Sequence, residues 1–280
     1  MVQNVEQQLI RRPGQVEATQ SAGRGLVRQM LNKVPEITIF FWIIKVLCTT
    51  VGETSADFLN DHIGLGLTGT SIVMSVALIA ALWVQFRKER YVPTIYWISV
   101  ALISVVGTLI TDNLTDNLGV ALELTTAVFA VALATTFAIW YASERTLSIH
   151  SITTTKREGF YWLAILFTFA LGTAAGDLVS ERMDIGYLKS ALLFIGLIAA
   201  VAVAHYVFHL DPVTSFWLAY ILTRPLGASI GDYLSQPRDD GGLGFGTVGT
   251  TMLFLAAIMG LVAYLNMSRR DASPTKGALA

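Results

Sequence analysis

The chain has 280 residues, of which 54% are hydrophobic and only 14% are charged, and its formal net charge is -1. Soluble domains usually carry about a quarter charged residues, so the composition excludes an ordinary soluble domain, and the near-zero net charge gives no electrostatic attraction to nucleic acid. The single cysteine, Cys48, excludes an internal disulfide and does not make a metal site.

Apolar runs of about 20 residues alternate with short polar breaks from Pro35 to Met267, and a helix of that length crosses the roughly 30 Å hydrocarbon core of a membrane. The pattern predicts an all-α integral membrane protein. Residues 1–34 are polar and lack the apolar segment of a secretory signal peptide, so we expect the first spanning helix to direct insertion. Eight transmembrane helices are predicted, at about residues 37–59, 66–86, 93–115, 120–141, 159–180, 187–209, 212–235 and 247–267.

Four segments of the chain share the same spaced residues. Each has a tryptophan, a glycine ten residues later and an aspartate fifteen residues later. Three residue types in fixed register, four times over, are a specific signal of an internal repeat. The tryptophans are Trp42, Trp97, Trp162 and Trp217, the glycines are Gly52, Gly107, Gly172 and Gly227, and the aspartates are Asp57, Asp112, Asp177 and Asp232.

Each repeat contains two predicted helices, so all four repeats should share one orientation and be related by an axis along the membrane normal. The predicted division of the chain is a polar tail at 1–36, repeats at 37–87, 92–144, 158–210 and 211–268, and a second tail at 269–280.

Basic residues orient the predicted helices. On the side that lacks the termini the only basic residues are Arg182, Lys189 and Arg238, and the other side is rich in them. By the positive-inside rule we expect a multi-pass protein of the bacterial cytoplasmic (inner) membrane, with both termini in the cytoplasm. The repeat tryptophans then fall near the cytoplasmic interface, which favours a role in its aromatic belt.

Residues 3, 7, 11, 15 and 19 positions after each tryptophan lie on one helical face. An ionised side chain that faces lipid at the bilayer centre costs roughly 2.5–3.5 kcal/mol, so we expect these faces to turn inward. Their charged residues are Lys45, Glu53, Asp57, Asp61, Asp112, Asp116, Asp177, Glu181, Arg224 and Asp232.

Carboxylates outnumber basic groups on these faces, which favours a bound or passing cation. Oxygen ligands suit hard cations such as Mg²⁺, Mn²⁺ or Ca²⁺, or protons. Glu53, Asp57 and Asp112 are candidate ligands of a divalent cation, the one cofactor that the pattern suggests. Lys45 and Arg224 are expected to balance charge. The predicted ion pathway or binding site comprises Glu53, Asp57, Asp61, Asp112, Asp116, Asp177 and Asp232.

Two functions fit this pattern. The leading hypothesis is a cation transporter or channel, for a divalent metal or coupled to protons, with the lipid bilayer and a small inorganic cation as its partners. The alternative is a non-transporting membrane scaffold or sensor whose aspartates only stabilise the packing of the repeats. An enzyme is not expected, because no nucleophile–base pair is visible. His205 and His209 have metal-ligand spacing, but with no third ligand in the pattern packing is favoured. No oligomeric state is indicated.

The tryptophan, glycine and aspartate unit resembles a bacterial family of uncharacterised membrane-anchored proteins built from four tandem two-helix repeats of unknown function. The resemblance covers about residues 37–267, and its most distinctive part is the opening segment VPEITIFFWIIKVLCTTVGETSADFLND. It implies the eight-helix, four-repeat layout and carries no activity, ligand or catalytic residue, so the functional expectations rest on the residues alone.

Overall fold

The computed structural model describes residues 32–62 and 66–271, without the side chains of residues 60–62. The predicted tails lie largely outside the described residues. Within the described part of the chain the regular structure is entirely helical, with eight long helices. They are α1 (Ile39–His62), α2 (Gly66–Phe86), α3 (Pro93–Asp112), α4 (Leu122–Glu144), α5 (Thr155–Asp177), α6 (Tyr187–Tyr206), α7 (Pro212–Ser235) and α8 (Gly246–Ser268).

The start of α7 follows from its sequence. The Asp211 carboxylate accepts a hydrogen bond from the Thr214 backbone N–H at 2.9 Å, and Pro212 occupies the first turn. A carboxylate acceptor and a proline that needs no N–H partner are both favourable there. Asp211 therefore caps α7 and sets the level at which this helix enters the bundle.

The first helices of the four repeats, α1, α3, α5 and α7, form a closed ring. Each packs against the next, and α7 packs against α1. At this closing contact the Thr50 hydroxyl donates to the Gly227 carbonyl oxygen at 3.1 Å. We call these four the inner helices. They bring the corresponding face of every repeat to a common axis.

The second helix of each repeat packs mainly against the inner helix of the following repeat. Helix α2 packs on α3, α4 on α5, α6 on α7, and α8 returns to α1. Each repeat therefore covers its neighbour more than itself. The repeats interlock around the ring, and none of them buries its own apolar surface alone.

The repeat glycines allow the inner helices to approach closely, as small residues do between membrane helices. The residue seven positions after the tryptophan of the next repeat lies directly against each glycine, where an added Cβ would overlap it. The pairs are Gly52 with Ser104, Gly107 with Phe169, Gly172 with Arg224, and Gly227 with Thr49. One contact is thus used four times around the ring.

The repeat tryptophans are mostly buried. Trp97, Trp162 and Trp217 are only 2–4% exposed, so the prediction that they form an interfacial belt was wrong for these three. In every repeat an aromatic residue directly precedes the tryptophan, and it packs against the tryptophan of the next repeat around the ring. These preceding residues are Phe41, Tyr96, Tyr161 and Phe216, and we call them the aromatic layer.

The outer surface is apolar. Seven of the helices that the structure describes are long and apolar enough to cross a membrane; the exception is the inner helix α7, which carries Arg224, Pro225 and Asp232. Large aliphatic side chains are exposed along the outer helices, as in Ile72, Val76 and Ile79 of α2. Contiguous exposed apolar surface of this kind is typical of a face that meets lipid or another protein.

Candidate cation-binding cavity

A cavity of about 160 Å³ lies between the C-terminal ends of the inner helices, opposite the end that holds Asn32 and Asp271. It is large enough for several water molecules. We call it the acid cavity. Its walls are formed by Glu53, Ala56, Asp57, Leu67, Asp112, Thr115, Asp116, Leu122, Asp177, Glu181, Asp232 and Gln236.

All four repeat aspartates line this one cavity, as the shared inward face predicts. Asp232 is 6% exposed, whereas Asp57, Asp112 and Asp177 are half-buried. Asp116 and Glu181 are exposed and also contribute to the walls. The side chain of Asp61, another predicted site residue, lies outside the described residues. The acids therefore converge on the axis of the bundle rather than each facing the second helix of its own repeat.

Three carboxylates come closest together. Oxygen atoms of Glu53, Asp177 and Asp232 all lie within 4.8 Å of one another. Ca²⁺ binds oxygen ligands at about 2.3–2.6 Å, so oxygens up to about 5 Å apart can bind the same ion. The metal set predicted from sequence was Glu53, Asp57 and Asp112; the structure groups Glu53 with Asp177 and Asp232 and places Asp57 and Asp112 elsewhere in the same wall.

Asp232 is the most buried of the repeat aspartates. No described residue hydrogen-bonds to its carboxylate or forms an ion pair with it, although other acids surround it. A buried carboxylate is costly unless a proton, a cation or hydrogen-bond donors compensate its charge. Its place in the cavity wall thus points to a positively charged ligand or a proton.

Arg224 closes the inner end of the cavity. It is fully buried, and its Nη2 donates to Glu53 Oε2 at 2.8 Å, to Thr173 Oγ1 at 2.6 Å and to Thr108 Oγ1. Repeat 4 has the small Ala228 at the position that holds Glu53, Thr108 or Thr173 in the other repeats. The arginine, one helical turn before this alanine, reaches the same level and joins all four inner helices.

Lys45 is also fully buried. It lies on the same helix as Glu53, further along the bundle axis from the carboxylates of the acid cavity. Its Nζ lies 4.3 Å from the ring centroids of both Phe169 and Tyr220 and has no hydrogen-bond partner among the described residues. These distances are those of cation–π contacts with two aromatic faces. Of the two predicted charge-balancing residues, Arg224 pairs with an acid and Lys45 contacts aromatic rings instead.

Two of the repeat aspartates stand at a change of helix geometry. Asp112 and Asp177 are the last residues of α3 and α5, and each is followed by a π-helical turn, Asn113–Asn117 or Leu178–Arg182. Such wide turns often occur at functional sites. The first of these turns places Thr115, which is not part of the helical stripe predicted from the sequence, in the cavity wall.

Of the two histidines with metal-ligand spacing, His205 makes packing contacts at the end of its helix. The His205 Nδ1 atom lies 3.0 Å from the Leu210 carbonyl oxygen and 3.3 Å from the Ser215 hydroxyl, at the junction of α6 and α7. These contacts hold the connection between the two helices. The structure supports the packing interpretation.

These features define a class: an all-helical protein of four tandem two-helix repeats, with the apolar outer surface expected of a membrane protein. The family model described as "Repeat of Unknown Function (DUF347)" matches residues 40–91, 95–146, 160–210 and 215–271, and the chain belongs to this family. The resemblance drawn from the tryptophan, glycine and aspartate pattern is thereby confirmed. No curated protein and no solved structure matches the chain.

Proposed function

We propose that the protein is a multi-pass membrane transporter that binds a small inorganic cation in the acid cavity. The apolar surface of the outer helices supports insertion into a bilayer. The excess of Lys and Arg at the end of the bundle that holds Asn32 and Asp271 supports cytoplasmic termini in a bacterial inner membrane. The acid cavity then opens on the opposite side, away from the cytoplasm.

The observation that carries this proposal is the convergence of Glu53 and the four repeat aspartates on one cavity. Carboxylates within a membrane are expensive to bury and usually mark ion or proton pathways. Packing alone would allow each aspartate to meet a donor on a neighbouring helix. Asp232 instead lies in the cavity wall with no partner among the described residues.

The cavity chemistry favours a hard cation. Its polar wall atoms are carboxylate, hydroxyl and amide oxygens and the amide nitrogen of Gln236, and the described lining contains no histidine or cysteine. Oxygen ligands of this kind suit Mg²⁺, Mn²⁺ or Ca²⁺ rather than softer metals, and carboxylates can also exchange protons with a coupled flux.

The interior beneath the cavity favours a transporter over an open channel. Arg224, Phe169, Lys45 and Tyr220 are all fully buried there, and the aromatic layer follows below them. An ion held by the acids could cross only if these side chains rearranged. Access from one side at a time is the defining property of a transporter.

The test is cation uptake by the purified protein in proteoliposomes that contain a metal-sensitive dye, with Mn²⁺ as the probe. We expect uptake by the wild type and its loss in Asp232→Asn and Asp177→Asn. Asp239→Asn is the matched control, because Asp239 is an exposed acid in the loop after α7, outside the cavity. Wild-type uptake that persists unchanged in both cavity variants would overturn the proposal.

The buried Glu53–Arg224 pair favours a second candidate, a membrane scaffold or sensor. In this function the pair and the acids hold the four inner helices together, and nothing passes between them. It predicts that Asp232→Asn changes thermal stability, while Mn²⁺ has no effect on the stability of either protein. Stabilisation of the wild type by Mn²⁺ that disappears in Asp232→Asn would exclude a purely structural role.

A further inference from the structure

We infer that Arg224 is a tethered cation that competes with the transported ion for Glu53, and that the ion is divalent. This inference rests on the proposed function and adds the regulation of the same site. Glu53 belongs to two groups at once: Arg224 is its ion-pair partner, and Asp177 and Asp232 are its neighbours in the closest acid cluster. An ion that recruits this cluster must share Glu53 with the guanidinium or displace it.

The contacts of Arg224 leave it poorly satisfied. A guanidinium offers five N–H donors in a planar fork that suits two-point pairing with a carboxylate. Here only Nη2 bonds to Glu53, Thr108 and Thr173, while Nε and Nη1 are buried without a partner among the described residues. Buried donors that lack acceptors cost free energy. The closed arrangement is therefore held less firmly than a two-point pair would be.

The charges of the closest acid cluster favour a divalent ion over a monovalent one. Within this cluster the carboxylates of Glu53, Asp177 and Asp232 and the guanidinium of Arg224 leave two negative charges, and Asp57 and Asp112 add further carboxylates to the same wall. A monovalent ion would leave more of this charge uncompensated in a region of low dielectric constant, where charge imbalance is expensive. The oxygen-only ligand set agrees with this class of ion.

Glu53 can exchange Arg224 for a cation, and this exchange couples ion binding to the contacts of Arg224 that close the inner end of the acid cavity. With Arg224 bound to Glu53, the four inner helices are linked at one level and the cavity is closed beneath the acids. When a cation takes the Glu53 carboxylate, the guanidinium loses the one ion-pair partner that it has among the described residues, and the link is weakened. A ligand shifts a conformational equilibrium only by binding one state more tightly, and the bound cation favours the state in which Glu53 has left Arg224.

The experiment is Mn²⁺ titration of the full-length protein in detergent by isothermal titration calorimetry. Arg224→Gln removes the competing charge and is expected to tighten Mn²⁺ binding by about tenfold or more, because like charges a few ångströms apart repel strongly at low dielectric constant. Arg238→Gln is the matched control, since Arg238 is exposed in the loop after α7 and lies outside the cavity wall. Its Mn²⁺ affinity should equal that of the wild type.

Thr173→Val provides a second route, because it keeps all charges and removes one acceptor that holds Arg224 in place. We expect a smaller gain in Mn²⁺ affinity, of about threefold. If Arg224→Gln and Thr173→Val bind Mn²⁺ no more tightly than the wild type, while Asp232→Asn abolishes binding, the competition is refuted and the proposed cation site stands. If neither the wild type nor any of these variants binds Mn²⁺, both proposals fall.

Discussion

Glu53 and Arg224 are joined across the centre of the bundle, with Oε2 2.8 Å from Nη2, although they belong to the first and the last repeat. The pair closes the ring of inner helices electrostatically at the level where α1 meets α7. It also places a positive charge against Glu53, whose carboxylate lies close to those of Asp177 and Asp232. The stability of the ring and the proposed cation site therefore share the same two side chains.

We expect Glu53→Gln to destabilise the protein strongly. The change leaves the buried guanidinium of Arg224 without a counter-charge, and loss of one member of a buried pair typically costs about 3–5 kcal/mol. Thermal unfolding in detergent measures the effect, with Glu181→Gln as a control on an exposed acid of the same cavity. Adding Arg224→Gln to Glu53→Gln should restore much of the loss; a double variant as unstable as the sum of the singles would contradict a direct pair.

The contact between Gly172 and Arg224 gives a second prediction. A methyl group at Gly172 would lie 2.5 Å from the Arg224 Cβ atom, too close for α5 and α7 to keep their spacing. Gly172→Ala should lower the free energy of unfolding by about 1–3 kcal/mol, the usual effect of overpacking. It should also change Mn²⁺ affinity, because Arg224 must move.

Gly196 offers the matched control for this substitution. It lies in α6, and an added Cβ there would meet nothing within 4 Å. Gly196→Ala is expected to be neutral or to stabilise α6 by up to about 1 kcal/mol, because alanine is the better helix former. Equal melting temperatures for Gly172→Ala and Gly196→Ala would show that close helix approach is not what the repeat glycine provides.

The hydrogen bond between the Tyr96 and Tyr161 hydroxyl groups, 2.5 Å long, predicts a double-mutant result. Both side chains are fully buried, so Tyr96→Phe leaves the other hydroxyl without this partner and should cost about 1–3 kcal/mol. Tyr161→Phe should cost a similar amount. The combined variant removes both polar groups and should be no less stable than either single variant; additive losses in thermal unfolding would argue against coupling.

The cap of α7 predicts a pH dependence. The hydrogen bond from the Thr214 backbone N–H holds the pKa of the Asp211 carboxyl below its usual range, with a further contribution from the Thr214 hydroxyl. A carboxyl whose pKa is lowered in the folded state stabilises the protein above its unfolded pKa of about 4, and this stabilisation is lost as the pH falls through the folded pKa. Asp211→Ala should therefore be less stable than the wild type at pH 7, with the gap narrowing toward pH 3.

Asp211→Asn is the control for this titration. Its amide oxygen can still accept the hydrogen bond from Thr214, but it carries no titrating proton. The variant should remain close to the wild type at pH 7 and show a weaker dependence of the melting temperature on pH. If Asp211→Ala and the wild type differ in stability by the same amount at pH 7 and pH 3, the ionisation of the Asp211 carboxyl group contributes nothing to the stability of α7.

The number, type and inward face of the helices could be predicted because hydropathy and a fourfold repeat encode them directly. The fixed spacing of the repeat also predicted that its glycines and aspartates occupy equivalent positions in the four inner helices. The packing of α2 on α3, rather than on α1 of its own repeat, could not be predicted, because a uniformly apolar helix does not specify which neighbour it packs against. The connecting loop does not decide between packing within a repeat and packing on the next repeat.

The acid cavity could be predicted only in part, because the sequence pattern specifies a helical face and not the distances between helices. A helical stripe determines which face turns inward, and this placed Glu53 and the four aspartates around one axis. It does not determine the finer rotation and the depth of each helix, on which the grouping of Glu53 with Asp177 and Asp232 depends. The interfacial position predicted for the tryptophans was wrong because an aromatic residue at the end of an apolar run is as typical of a buried core as of a membrane interface. The preceding aromatic residue in each repeat was the available signal for burial.

Cation-linked stability is the most direct test of whether the cavity does more than hold the fold. A ligand that binds only the folded state stabilises it by about 2.7 kcal/mol at a hundred times its dissociation constant. Mn²⁺ should therefore raise the melting temperature of the wild type in detergent, and Asp177→Asn and Asp232→Asn should abolish the rise because they remove ligands from the closest cluster. Asp184→Asn, at an exposed acid in the turn before α6, should respond like the wild type. A wild type whose melting temperature is indifferent to Mn²⁺, Ca²⁺ and Mg²⁺ would leave the scaffold as the function that the structure supports.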